Sequence, residues 1–201
     1  MTRPTCILTV AAAALSLAAC NKPAASENPP SAVTPQEQAQ TPDAHPSATI
    51  PAPANEAAAP DFVAKAAAGD MFEVAAAKTA MTRSQNPDVK AFARMMESAH
   101  TATTKALKAA IRASGQTLAP PEAIPADLQA KLDDLLKADP AAFDKMYIDQ
   151  QVDAHQAALD LMQRYAKDGD VAQIKTFAAD TAPKVQEHLT KAKGIQGALK
   201  T

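Results

Sequence analysis

Residues 87–114 read PDVKAFARMMESAHTATTKALKAAIRAS. Apolar side chains and one histidine recur in this stretch at spacings of three, four and seven: Phe92, Met96, His100, Leu107 and Ile111. This is the period of an α-helix that buries one side. Asn86-Pro87 stands at its start and Gly115 directly follows it, and these residues are typical of the two ends of a helix. The sequence therefore predicts a helix over 87–114.

The same periodicity predicts three more long helices, over about 61–83, 139–168 and 170–198, and a short one over 126–137. We expect Asp139 and Asp170 to cap the third and fourth long helices and Pro183 to kink the fourth. No segment alternates β-branched residues with period two, so the fold class is predicted to be all-α. Short links within each pair of long helices favour an antiparallel four-helix bundle of ferritin-like layout, with the short helix in the crossover between the second and third long helices.

Charge and cysteine content exclude several kinds of function. The part from Asp61 onward carries 18 Lys/Arg and 18 Asp/Glu, so no nucleic-acid partner is expected. The two cysteines, Cys6 and Cys20, both lie in the first twenty residues, which leaves the body without a disulfide or a thiol nucleophile. The body also lacks a Gly-rich phosphate loop and a Gly-x-Ser-x-Gly motif, so no catalytic residue is predicted and an enzyme is disfavoured.

The first twenty residues have the layout of an export signal. Arg3 precedes an apolar segment over residues 6–17, which is too short to span a bilayer. Leu17-Ala18-Ala19-Cys20 then resembles the lipobox of bacterial lipoproteins, which implies cleavage after residue 19 and acylation of Cys20. We expect a lipid-anchored protein of the cell envelope that faces the periplasm and contacts the membrane through Cys20. Asn21 favours the outer membrane over the inner one.

A spacer separates this anchor from the helical body. Nine of the sixteen prolines lie within residues 21–60, a segment without hydrophobic periodicity. Proline interrupts both helices and sheet ladders, so the segment is predicted to be a disordered or polyproline-like tether. The predicted organisation is a signal segment over 1–19, an acylated cysteine and tether over 20–60, and a helical body over 61–201.

Three histidines and a glutamate share the apolar stripes of the four long helices, one on each: Glu73, His100, His155 and His188. Glu97 stands three residues before His100, the Glu-x-x-His spacing of bundle metal sites. Imidazole and carboxylate suit zinc, iron, manganese or copper, so one transition metal ion held by these five residues is one interpretation. The alternative is a polar layer in the core, where each histidine bonds to Glu73, Thr103, Thr181 or a buried water.

A di-iron centre is disfavoured by two positions. It would require a second Glu-x-x-His motif on the fourth long helix, where Val185 stands three residues before His188. It would also require a carboxylate on the third long helix, where the stripe carries His155 instead. A single ion or none fits this sequence better.

Four segments resemble one known family: FVAKAAAGDMFE at 62–73, residues 89–100, residues 147–156, and PKVQEHL at 183–189. Together they are similar to the domain of unknown function DUF4142 over about residues 60–198. The resemblance implies a ferritin-like helical domain of bacterial envelope and secreted proteins, and it assigns no activity. The recurring positions of the family would correspond here to Glu73, His100, His155 and His188.

Two functions from different classes follow from these observations. The first is an envelope lipoprotein whose bundle binds one metal ion, with a role in stress or metal handling. The second is a structural or interaction module of the envelope that binds no metal. The sequence indicates no particular protein partner for either.

Overall fold

Residues 55–199 are described by the structure, which is a computed structural model. The signal segment, Cys20 and the predicted tether up to residue 54 lie outside the described residues. The described part is all-α, with five helices and no strand, which confirms the predicted fold class. The helices are α1 (Ala59–Arg83), α2 (Pro87–Ser114), α3 (Ala126–Lys137), α4 (Pro140–Asp168) and α5 (Ala172–Ala198).

The bounds of α2 are the predicted ones because both ends carry residues with specific backbone roles. The Asn86 side chain accepts hydrogen bonds from the backbone N–H groups of Asp88, at 2.9 Å, and Val89, at 3.4 Å. Gly115 ends the helix in the left-handed region at φ +67°, where a residue without Cβ is favoured. α5 continues as one helix through Pro183, whose ring is exposed.

Neither Asp139 nor Asp170 caps its helix through its side chain as the sequence predicts. Asp139 stands at the N-cap of α4, but its side chain makes no capping hydrogen bond. The prediction for Asp170 is wrong, because α5 begins at Ala172 with Val171 as its N-cap. Asp170 instead accepts hydrogen bonds through Oδ1 from the N–H of Ala59, at 3.0 Å, and from the hydroxyl of Tyr165, at 2.8 Å. It thus caps the start of α1, which begins two residues earlier than predicted.

The four long helices contact one another in a ring: α1 packs on α2, α2 on α5, α5 on α4, and α4 on α1. α3 packs on α1 and α4, and Arg83 of α1 donates hydrogen bonds to the carbonyls of Leu135 and Ala138 at its end. Two large clusters form the core, one around Phe72, Met96 and Tyr147 and the other around residues that include Phe62 and Tyr165.

The segment ahead of α1 is fastened to the helices. The carboxylate of Glu56 forms ion pairs with Lys65 of α1, at 2.5 Å, and with Arg164 of α4. The carbonyl of Ala57 accepts a hydrogen bond from the N–H of Asp170 at 3.2 Å. Within residues 55–199, no helix is both long and apolar enough to cross a membrane.

Candidate metal centre

A group of polar side chains lies between the two large core clusters. α1 contributes Asp70 and Glu73, α2 contributes His100 and α4 contributes His155, and all four side chains are buried. α5 contributes His188, which is half-buried. On each helix, apolar residues of one cluster precede the polar group and apolar residues of the other cluster follow it. Polar groups are costly in such surroundings unless they have partners, so each contact among them is informative.

The three histidines converge on one place. One ring nitrogen from each of His100, His155 and His188 lies within 4.8 Å of the others. The ring centroid of His100 is 5.4 Å from that of His155 and 5.8 Å from that of His188, and the rings of His155 and His188 are 5.4 Å apart. Helical periodicity predicted this shared face, and the structure brings the three rings together.

Hydrogen bonds to the Nδ1 atoms of two histidines determine which nitrogens face the group. Nδ1 of His100 lies 2.8 Å from Oδ1 of Asp70, and Nδ1 of His155 lies 2.8 Å from the carbonyl of Gln151. A carboxylate and a carbonyl only accept hydrogen bonds, so both Nδ1 atoms donate. In the neutral rings the Nε2 atoms then carry lone pairs, and they face each other at 3.5 Å. A proton or a cation between them is needed to make this contact favourable.

Burial and mutual repulsion keep two of the rings neutral. Burial lowers the pKa of His155 to about 3 and that of His188 to about 4, and the neighbouring charge of His100 adds to both effects. Burial also opposes protonation of His100, but the hydrogen bond to Asp70 and the charge of Glu73 outweigh it and raise that pKa. At neutral pH, His155 and His188 therefore offer lone pairs, which is the form that binds metal.

Glu73 is a buried carboxyl group without a hydrogen-bond partner among residues 55–199. The residue is 3% exposed, and Oε1 lies 3.9 Å from Nδ1 of His155, too far for a hydrogen bond. Burial raises the pKa of Glu73 to about 7, although the charge of His100 and the nearby amide of Gln151 oppose the shift. Because neither oxygen of Glu73 has a hydrogen-bond partner among residues 55–199, the carboxyl group is available to a ligand that enters the site.

The structure does not bring Glu97 to the three histidines. Its side chain is 36% exposed and faces Lys78, with the Lys78 Nζ and Glu97 Oε1 atoms 3.8 Å apart. A spacing of three on a helix turns the side chain about 60° from His100, and this turn places Glu97 at the surface. Of the five residues predicted from the sequence, the structure groups the three histidines, with Glu73 beside them and Glu97 apart from them.

Asp70 is the site residue that the sequence reasoning missed. Besides His100, it bonds to Thr104, whose hydroxyl donates to Oδ2 at 3.0 Å. Both oxygens are thus held, and the carboxylate fixes the orientation and tautomer of the His100 ring, an arrangement common around metal-binding histidines. The available signal was its position three residues before Glu73, within about 60° of it around α1. The rotation of α1 buries both side chains, whereas Glu97, at the same spacing from His100 on α2, lies at the surface.

Among residues 55–199, no histidine forms a hydrogen bond with any of the protein partners that the polar-layer interpretation names, Glu73, Thr103 and Thr181. Nδ1 of His188 has no partner there, and no histidine bonds to Thr103 or Thr181. The Thr103 hydroxyl donates instead to the carbonyl of Ala99 at 3.0 Å. An unpartnered Nδ1 on His188, next to a long 3.5 Å contact between the Nε2 atoms of His100 and His155, fits a binding site better than a fully satisfied core layer.

A cavity of about 40 Å³ adjoins the three rings. All four long helices line it, and Asp70, Glu73 and the three histidines are among its walls. A buried water needs roughly 10–15 Å³. The cavity thus has space for an ion and small molecules but excludes a substrate the size of a sugar or a peptide.

These features define a class: an all-helical protein with a buried cluster of three histidines, one from each of three long helices. The model of the family described as a domain of unknown function (DUF4142) matches residues 44–195. The chain belongs to that family, which confirms the resemblance found in the sequence. No curated protein matches the chain, and no solved structure matches it.

Proposed function

We propose that this protein is a lipid-anchored protein of a bacterial cell envelope whose helices form an antiparallel, ferritin-like four-helix bundle that binds one transition metal ion. His100, His155 and His188 are the ligands, and Glu73 lies beside them. One observation carries the proposal: three ring nitrogens lie within 4.8 Å of one another, and two of the rings are oriented by hydrogen bonds to their other nitrogen.

The donor set favours a single ion of the kinds that imidazole binds. Neutral imidazole suits zinc, copper and iron, whereas manganese prefers oxygen donors. Only Glu73 offers an unpartnered carboxylate in the described part of the site, and a di-iron centre needs several bridging carboxylates. A role in metal handling or in the response to metal or oxidative stress is consistent with one ion in an envelope protein.

The lipid anchor is supported by the sequence alone. Leu17-Ala18-Ala19-Cys20 follows an apolar segment and precedes a proline-rich spacer, as in a lipoprotein precursor. Growth of a producing bacterium with radiolabelled palmitate, followed by isolation of the protein, tests this part. We expect label in the wild type and none in Cys20→Ala, and unlabelled wild type would disprove the anchor.

Metal content tests the site. The full chain with Cys6 and Cys20 replaced by serine, so that no thiol competes, is purified and titrated with Zn²⁺, and bound metal is measured by mass spectrometry. We expect about one ion per chain, because three imidazole nitrogens within 4.8 Å of one another can close onto one ion at about 2.1 Å each. His100→Ala and His155→Ala should each remove it.

Phe143→Leu is the matched control, because Phe143 is buried in the core cluster that does not include the histidines. It should lower stability, by roughly 1 kcal/mol, and leave the metal content unchanged. Equal and negligible metal in the wild type and both histidine variants would refute metal binding and favour the structural module.

A further inference from the structure

The histidine group supplies three protein donors, one fewer than a closed tetrahedral site uses. Within residues 55–199, one group of three mutually close ligand atoms is found: one nitrogen each from His100, His155 and His188, all within 4.8 Å of one another, with no carboxylate oxygen in the group. Oε1 of Glu73 lies 3.9 Å from Nδ1 of His155, the nitrogen that already bonds to Gln151. Sites with three protein donors keep a further coordination position for an exogenous ligand.

Small residues keep the adjoining cavity open. Ala66, Gly69, Ala154 and Ala158 are part of its lining. Gly69 lies in the interior of α1, where glycine costs about 1 kcal/mol relative to alanine. A Cβ at Gly69 would meet no atom within 4 Å, so no neighbour requires glycine there. The effect of glycine at this position is to leave space on the side of α1 that borders the cavity.

The charges around the cavity favour an anion once a divalent ion is bound. Asp70 and Glu73 are the acidic residues of its lining, and exposed Lys184 is a basic one. A divalent ion offsets the two carboxylates, and Lys184 then leaves one positive charge in excess. A monoanion bound in the remaining space would neutralise this positive charge.

We propose that the metal ion carries an open coordination position that faces this cavity and exchanges water for a monoanion of two or three heavy atoms. This inference rests on the proposed metal site and extends it. The ion binds small inorganic ligands and does not serve only to hold the helices together. Glu73, with its unpartnered oxygens, lies beside the exchanged ligand. The size of the cavity restricts the ligand to this class.

Azide binding to the cobalt-loaded protein tests the inference. The full chain, with Cys6→Ser and Cys20→Ser, is loaded with Co²⁺, and its visible absorption is followed during azide titration. We expect a saturable change in the cobalt bands. Ala158→Leu adds bulk to the cavity wall and should weaken azide binding by roughly tenfold or more, while one Co²⁺ per chain is retained.

Two further variants serve as a matched control and as a milder test of the cavity. Ala157→Leu is the matched control, because Ala157 is the exposed neighbour of Ala158 on α4, and it should bind azide like the wild type. Gly69→Ala has room for its methyl group and favours helix, so it should fold, bind Co²⁺ and bind azide more weakly than the wild type.

Two results would overturn the open position alone: bound Co²⁺ with no response to azide, or undiminished azide binding in both Ala158→Leu and Gly69→Ala. Failure of the wild type to bind Co²⁺ would overturn the metal site and this inference together.

Discussion

Asp70 of α1 and His100 of α2 are joined by a buried contact of 2.8 Å between Oδ1 and Nδ1. The contact spans two neighbouring helices and directs the Nδ1 edge of the ring toward α1. Since Thr104 holds the second oxygen of Asp70, the carboxylate cannot turn toward the other histidines without losing a hydrogen bond. Nε2 of His100 is therefore left for the centre of the group.

Removal of the charge of Asp70 is expected to weaken metal binding without abolishing it. Asp70→Asn keeps an acceptor for Nδ1 of His100 but makes the ring a poorer electron donor, so affinity should fall about ten- to hundredfold. Competition with a chromophoric zinc chelator measures the change. Asp153→Asn, at an exposed position on α4, is the control and should match the wild type. Unchanged affinity in Asp70→Asn would argue against its role.

Glu73 is expected to make the metal-free protein less stable as the pH rises. Its pKa is about 7 in the folded protein against an ordinary value of 4.5, so the folded state keeps a proton that the unfolded state has lost. The resulting stabilisation is complete below pH 4.5 and is lost as the pH rises through 7. The loss is on the order of 3 kcal/mol, at about 1.4 kcal/mol per pKa unit.

Urea unfolding of the metal-free wild type and Glu73→Gln between pH 4 and 8 measures this effect. The lowered pKa values of His155 and His188 act in the opposite direction, because their contribution is present above pH 6.5 and is lost toward pH 4 and below. Both proteins share that contribution, so the difference between their unfolding free energies reports Glu73 together with the part of the raised pKa of His100 that the charge of Glu73 causes. We expect the difference to shift in favour of Glu73→Gln as the pH rises, and a pH-independent difference would contradict the assignment.

Asp170 is expected to contribute to global stability through its two hydrogen bonds. Asp170→Ala leaves the N–H of Ala59 and the hydroxyl of Tyr165 without their acceptor, at a cost of roughly 1–3 kcal/mol in unfolding free energy. The same variant should remove part of the rise in the pKa of Tyr165, which burial and Asp170 together bring to about 12. Asp168→Ala, at the exposed end of α4, should cost little, and equal losses in the two variants would exclude the capping role.

Gly115 and Gly194 are expected to respond in opposite directions to alanine. Gly115 has φ +67°, which an L-residue adopts with strain, so Gly115→Ala should lower the unfolding free energy by about 1 kcal/mol. Gly194 lies within α5, and a Cβ added there would meet no atom within 4 Å. Gly194→Ala should therefore raise stability by about 0.5–1 kcal/mol. Thermal denaturation of both variants measures the contrast, and a shift in the same direction would contradict it.

The helices and the three histidines could be predicted from the sequence because both depend on local spacing. Asn86 and Gly115 mark the ends of α2, and the period of 3.6 residues places each histidine on the buried side of its helix. Contacts between helices depend on how each helix is rotated about its axis, which spacing leaves open by some tens of degrees. That uncertainty explains why the sequence predicts Glu97 as a metal ligand and does not predict Asp70 as a residue of the site.

The role of Asp170 could not be predicted from the local sequence, because it also depends on contacts between helices. An aspartate after a glycine and before an apolar helical segment has the local pattern of an N-cap. Its actual partner, the N–H of Ala59, lies 111 positions earlier in the chain. Only the packed arrangement of α1 beside the start of α5 makes that partner available.

The fastening of residues 56–57 determines how the body would respond to mechanical tension from its N-terminal side. Glu56 is held by Lys65 of α1 and by Arg164 of α4, and the carbonyl of Ala57 is held by Asp170 between α4 and α5. A pull applied ahead of Asn55 would load these attachments side by side before it reached the first turn of α1. The load would thus reach α1 and α4 together rather than the end of α1 alone.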